Sequence, residues 1–164
     1  MEYNIENRNW KDISYLKKGN PKQRKVYDIL KEIEILEHLE DFSPIVVGTI
    51  PLAIDIETSD LDIVCQFDKE EDIREILLNH YGDYEDFKVR KMGKDAYAYN
   101  FWYEDCEIEV YGSKVPTKRS NSYRHLLIAS RLLSLYGDEF RKKIVQLKKQ
   151  GYLTERAIAK LLHL

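Results

Sequence analysis

One stretch narrows the folds open to this chain more than any other: Val47-Gly48-Thr49 followed, after a spacer, by Ser59-Asp60-Leu61-Asp62-Ile63. Ile45 to Val47 is a short apolar run ending at a glycine, the pattern of a buried strand. Leu61 to Phe67 alternates, with Leu61, Ile63, Cys65 and Phe67 on one face and Asp60, Asp62, Val64 and Gln66 on the other. Glycine lets backbone N–H groups come close to an anion, and Thr49 adds a hydroxyl donor beside it. Carboxylates two positions apart on a strand point the same way, so Asp60 and Asp62 can share a hard, oxygen-ligated cation such as Mg²⁺. A neighbouring strand has to supply a further acid, and Cys106-Glu107-Ile108-Glu109-Val110 carries Glu107 and Glu109 on one face, opposite Cys106, Ile108 and Val110. A calcium loop starting at Asp55 is excluded, because Asp60 stands where its glycine belongs and Gln66 where its bidentate glutamate belongs.

The flanking segments predict the rest of the fold. Asn20-Pro21 is an N-cap followed by proline at the first helical position, and Val26, Ile29, Leu30, Ile33, Leu36 and Leu39 continue at helical spacing to about Glu40. Asp68 reads as the N-cap of a helix ending near Tyr81-Gly82, with Glu70, Glu71 and Asp72 in its first turn where the helix dipole favours them; that acidic cluster is structural. Phe87 to Met92, Ala96 to Tyr103 and Cys106 to Tyr111 read as a three-stranded meander turning at Gly93-Lys94 and Glu104-Asp105. Helices follow from Ser120 to Tyr136, from about Asp138 to Gln150, and from an N-cap at Thr154 to the C-terminus. The order predicts an α+β fold, a mixed sheet flanked by helices with a C-terminal helical segment. No repeat or linker interrupts the 164 residues, so one domain is expected over 1–164, with a sheet core at about 45–111 and a helical tail at about 120–164.

Gly48-Thr49 and Asp60-x-Asp62 resemble the signature of the polymerase-β-type nucleotidyltransferase superfamily: Gly-Ser, a spacer of about a dozen residues, Asp-x-Asp, then a further carboxylate from a later strand. Leu16-Lys17-Lys18-Gly19-Asn20, Gly48 through Cys65, Tyr123-Arg124-His125 and Lys149 through Glu155 with Ala157-Ile158-Ala159 look together like a small bacterial branch of it, a domain of unknown function. The resemblance implies a nucleotidyltransferase-like sheet. It implies Mg²⁺ (or Mn²⁺) held by Asp60, Asp62 and Glu109, with Glu107 the alternative third acid. It further implies nucleotide contacts from Gly48, Thr49, Ser59 and Arg124, and in-line transfer of a nucleotidyl group from a nucleoside triphosphate to a hydroxyl with release of pyrophosphate. The acceptor stays open among a small molecule, a protein and an RNA. Threonine stands here for the family's serine, and Leu52-Ala53 occupies the place where many bacterial members carry Ala-Arg-Gly. The alternative is a module that keeps this fold and binds a nucleotide or partner without transfer, of regulatory or toxin–antitoxin type.

Charge and composition exclude other classes. A net charge of −3 gives no whole-surface attraction to duplex DNA or an anionic membrane. No apolar run approaches the roughly 20 residues a bilayer needs, and Met1 to Trp10 lacks the apolar core of a signal peptide, so a cytoplasmic location is expected. Cys65 and Cys106 are too few for a disulfide framework and lack CxxC spacing, so both are expected to be free and buried. Arg124 and Arg131 share a helix face with Ser120, while Lys118 and Arg119 precede that helix's N-terminus, where anions are favoured. This set reads first as a solvated face and second as a contact to substrate, and His125 beside it has no spaced partner.

Overall fold

The structure, a computed structural model, describes residues 8–164; most of the N-terminal stretch read for a leader lies outside them. Five strands form one mixed sheet in the order β1-β2-β5-β4-β3: β1 is Ile45–Val47, β2 Leu61–Gln66, β3 Glu85–Gly93, β4 Ala96–Tyr103 and β5 Cys106–Ser113. Only β2 and β5 run parallel; the other pairs are antiparallel. The expected meander is β5-β4-β3, and its parallel pairing to β2 places the two acidic strands side by side.

Short helices α1 (Ser14–Lys17) and α3 (Ile35–His38), with α2 (Pro21–Ile33) and α4 (Glu70–Tyr81), cover one face of the sheet. There Leu61, Ile63, Cys65 and Phe67 meet Tyr99, Phe101, Ile108 and Val110 in the larger core. The long helix α5 (Asn121–Lys149) and α6 (Thr154–Leu161) build a second core with Ile45, Val47 and Val64 on the opposite face. That second core takes no residue from β3 or β4, so among the described residues no helix of it packs on that part of the face. Being packed on both sides explains why β2 carries Val64 on the same face as Asp62: the strand alternates between two cores, with polar positions only at Asp62 and Gln66.

Several boundaries differ from the sequence reading. Asn20 caps α2 in a capping box with Gln23, but the helix does not run to Glu40: it breaks at Glu34, which adopts the left-handed conformation, and resumes as α3. An unbroken helix would carry the stripe from Ile33 to Leu36 and Glu37; the break rotates it so that Ile35 and Leu39 are fully buried. Asp68 does not cap α4, whose N-cap is Lys69 with no side-chain bond, and Thr154 is the first residue of α6, with Leu153 as its cap. The two helices expected on either side of Gly137 are both present: α5 is kinked there into two helical segments, because Gly137, at φ 78° and ψ −165°, is not helical. Cys65 and Cys106 are free and buried, and among the described residues no helix is long and apolar enough to cross a membrane.

Candidate active site

Register places the acids. Val47 pairs with Asp62, Asp62 with Glu109, Glu109 with Asn100 and Asn100 with Lys88, so one row of side chains crosses all five strands. Asp60 stands just before β2 at the same end. Oxygens of Asp60, Asp62 and Glu109 lie within 4.8 Å of one another, all three residues being half-buried. Gly48, at the end of β1, is at φ 81°, and a Cβ built there would lie 2.5 Å from Asp62 Oδ2. The glycine is therefore required twice, by its backbone conformation and by the carboxylate packed on it.

Asp62 is the strained member. Burial, then the neighbouring charges of Asp60 and Glu109, push its carboxyl up to about 9. Its Oδ1 is buried with no hydrogen-bond partner among the described residues, although such a group almost always finds one. A divalent cation answers both features, supplying the missing ligand and neutralising the repulsion, and three carboxylate oxygens are the donor set that Mg²⁺ and Mn²⁺ prefer. The residues present fit the group.

Glu107 lies outside this cluster, two positions along β5, where it accepts a bond from Asn100 Nδ2 at 3.4 Å. Between the two glutamates that the sequence left open, the geometry brings Glu109 to the aspartates. The neighbouring cation is one that sequence reasoning passed over: Arg90 of β3 reaches across β4, and its Nη2 donates to Glu109 Oε1 at 2.8 Å and to Asn100 Oδ1 at 3.0 Å. The available signal was Lys88 and Arg90 alternating with the apolar Phe87 and Val89, which puts both cations on the acids' face.

A cavity of about 720 Å³ opens from the acids toward the start of α5. Gly48, Thr49, Asp62 and Glu109 line one end, and Arg119, Asn121 and His125 line the other. Ser120 caps α5, its Oγ accepting from Tyr123 N at 3.2 Å. Arg124 is exposed and does not line the cavity; Arg119 and His125 on either side of it do. Ser59 is not a lining residue either, since its hydroxyl accepts from Ile56 N at 2.9 Å and closes the turn that delivers Asp60.

Behind the cavity, side chains from two helices fix the loop after Thr49. Gln23 Nε2 donates to the carbonyls of Ile50 at 3.0 Å and Pro51 at 3.3 Å, Arg141 Nη1 to Ala53 O at 3.2 Å, and Lys148 Nζ to Ile54 O at 2.7 Å. Leu52 N and Ile54 N donate to Thr49 O, both at 3.2 Å. Burial pushes the Lys148 ammonium below its usual range, against the opposing charge of Asp55.

Solved structures share this architecture. A GLD-2/RNP-8 complex superposes with a TM-score of 0.61 at 17% identity, covering 92% of this chain and 62% of that one. Cid1, an RNA terminal uridylyl transferase, gives 0.58 at 10% identity over 83% and 45%. A cytoplasmic RNA terminal U-transferase gives 0.52 at 12% identity over 83% and 43%. The chain therefore spans less than two thirds of the length of these neighbours, and at such identities the likeness is one of fold: the α+β nucleotidyltransferase sheet with its flanking helices. No curated protein matches the sequence. A family model described as "Domain of unknown function (DUF4269)" matches residues 28–164. The chain belongs to that family, on a nucleotidyltransferase fold.

Proposed function

We propose that this chain transfers a nucleotidyl group from a nucleoside triphosphate to a hydroxyl acceptor in a reaction that needs Mg²⁺ or Mn²⁺. The observation that carries the reading is the convergence of Asp60, Asp62 and Glu109 beside Gly48, with the Asp62 carboxylate buried and one oxygen unpartnered. Asp60, Asp62 and Glu109 would hold the ion. Bound there, it supplies neutralisation of charge on the attacking and leaving oxygens.

The chain's own groups do the positioning. With no side chain at Gly48, the triphosphate can approach the backbone, and the Thr49 hydroxyl can donate to it. Gln23, Arg141 and Lys148 hold the following loop rigid, so the donor meets a preformed surface. Arg119, with Asn121 and Ser122 in the first turn of α5 beyond the Ser120 cap, lines the cavity and offers positive charge to the remainder of the nucleotide. Ser59 contributes indirectly, through the turn before Asp60.

The test is incubation with each α-labelled nucleoside triphosphate, Mg²⁺, and extracts separated into RNA, protein and small-molecule fractions. Label should enter one fraction and be lost with Asp60→Asn. If no nucleotide shifts the melting temperature with Mg²⁺ and no fraction is labelled, the proposal fails and the binding module takes its place.

A further inference from the structure

The transfer reading leaves the acceptor's place open, and the sheet supplies one. In-line displacement puts the entering hydroxyl and the departing pyrophosphate on opposite sides of the transferred phosphorus. Gly48 and Thr49 flank Asp62 on the β1 side, and the cavity for the donor lies there and under α5. Glu109 flanks Asp62 on the other side, and beyond it the same row continues through Asn100 to Lys88. This is the part of the face on which, among the described residues, the second core places no helix.

Its side chains have a definite chemistry. Arg90 and Lys88 are both exposed, alternate on one strand, and sit about 7 Å apart along it, two residues at the strand rise. Arg90 is held in place through Nη2 alone, by Glu109 and Asn100; its three remaining N–H donors, on Nε and Nη1, have no partner among the described residues. Asn100, itself buried, is fixed by Arg90 on one side and Glu107 on the other, so the guanidinium is oriented before any ligand arrives. Trp102, half-buried on the same face, stands between Glu85 and Glu107 in register, one pair along β4 from the Lys88–Asn100 pair, and offers a ring surface there.

Resting on the transfer reading, we propose that the open face of β3, β4 and β5 seats the acceptor, that the acceptor is the 3′ end of a single-stranded RNA, and that Arg90 is its phosphate contact. The phosphodiester adjoining the terminal hydroxyl takes the free donors of Arg90, the next phosphate meets Lys88, and a base stacks on Trp102, the combination of regular cations and an aromatic surface that single strands require. A small phosphorylated acceptor would use Arg90 but leave Lys88 and Trp102 without a role.

The experiment is fluorescence anisotropy of a labelled ten-nucleotide oligouridylate with the whole chain in Mg²⁺, alongside the nucleotide-induced melting shift of the same proteins. Arg90→Gln should weaken oligonucleotide binding about tenfold and Lys88→Gln severalfold, Arg90→Lys should recover part of the loss, and the nucleotide-induced shift of Lys88→Gln, whose side chain does not touch the acids, should stay as in the parent. Oligonucleotide affinity indifferent to both Arg90→Gln and Lys88→Gln overturns the seat. An Arg90-dependent response to uridine monophosphate or glucose 1-phosphate, with no oligonucleotide binding, overturns RNA as its occupant. A parent that binds the oligonucleotide through these residues yet shows no nucleotide shift supports the seat while refuting the transfer reading on which it was built.

Discussion

Asp62→Asn should make the ion-free protein more stable, and by an amount that grows with pH. In the unfolded chain the carboxyl titrates near the ordinary 3.8; in the fold, burial and then Asp60 and Glu109 push it up to about 9. The folded state therefore binds the extra proton between those values, so stability is full below pH 4 and is lost as pH rises toward 9. At 1.36 kcal/mol per pH unit, the roughly three units between 3.8 and 7 amount to about 4 kcal/mol of destabilisation at neutral pH, and at pH 5 to between about 1 and 2 kcal/mol. Asparagine carries no such burden. For a chain of this length, 4 kcal/mol corresponds to roughly 8–16 °C in melting temperature. The assay is urea denaturation of parent and variant in EDTA at pH 5, 7 and 8.5. The gap between them should widen by about 1.4 kcal/mol per unit, and Mg²⁺ should narrow it by stabilising the parent alone, by about 2.7 kcal/mol at a hundredfold excess over its dissociation constant. Equal midpoints at all three pH values would refute the assignment of a buried, charge-crowded carboxyl, and a variant as responsive to Mg²⁺ as the parent would refute the ion site.

Gly48→Ala should destabilise by about 1–3 kcal/mol, since the residue sits at φ 81° and its new Cβ would meet Asp62 Oδ2; a melting temperature within a degree of the parent's would contradict this. Lys148→Met should cost about 1–3 kcal/mol by leaving the carbonyl of Ile54 unpaired in the core, and should weaken nucleotide binding more than Mg²⁺ binding, both measurable by calorimetry. Cys65 and Cys106 should react with a thiol reagent only on unfolding; rapid modification of either in the native state would contradict their burial.

The acids were legible in the sequence because strand alternation is a local property: once Leu61 and Cys106 open strands, Asp60, Asp62 and Glu109 have only one face to occupy. β4 has the bounds that its aromatic run indicates, Ala96–Tyr103. The choice between Glu107 and Glu109 was not legible, because it depends on the register of β2 against β5, a parallel pairing made across more than forty residues of chain. Arg90 escaped for the same reason twice over: its partner lies two strands away, and only the order β5-β4-β3 brings its guanidinium to Glu109. The break at Glu34 was hidden because Leu36 and Leu39 continue the helical spacing in sequence while the burial of Ile35 demands a different phase.

The Leu52-Ala53 departure from the superfamily pattern gains a physical meaning from the clamp around it. Where an arginine in that loop would present its charge to the triphosphate, this chain brings Arg141 and Lys148 in from α5, but both donate to loop carbonyls, of Ala53 and Ile54, while Gln23 takes those of Ile50 and Pro51. Neither side chain lines the cavity, although Lys148 lies close enough to Asp55, Glu155 and Asp62 to feel their charge. Arg119 and the α5 N-terminus are then the positive features left to face the donor, at the far end of the cavity from Gly48. A triphosphate bound this way gains less from direct ion pairs and more from the metal and from a rigid backbone, so its affinity should depend steeply on divalent ion and only weakly on salt. An affinity that held in EDTA and collapsed in 0.5 M NaCl would place an arginine or lysine against the phosphates after all, and the loop would have to open to let one in.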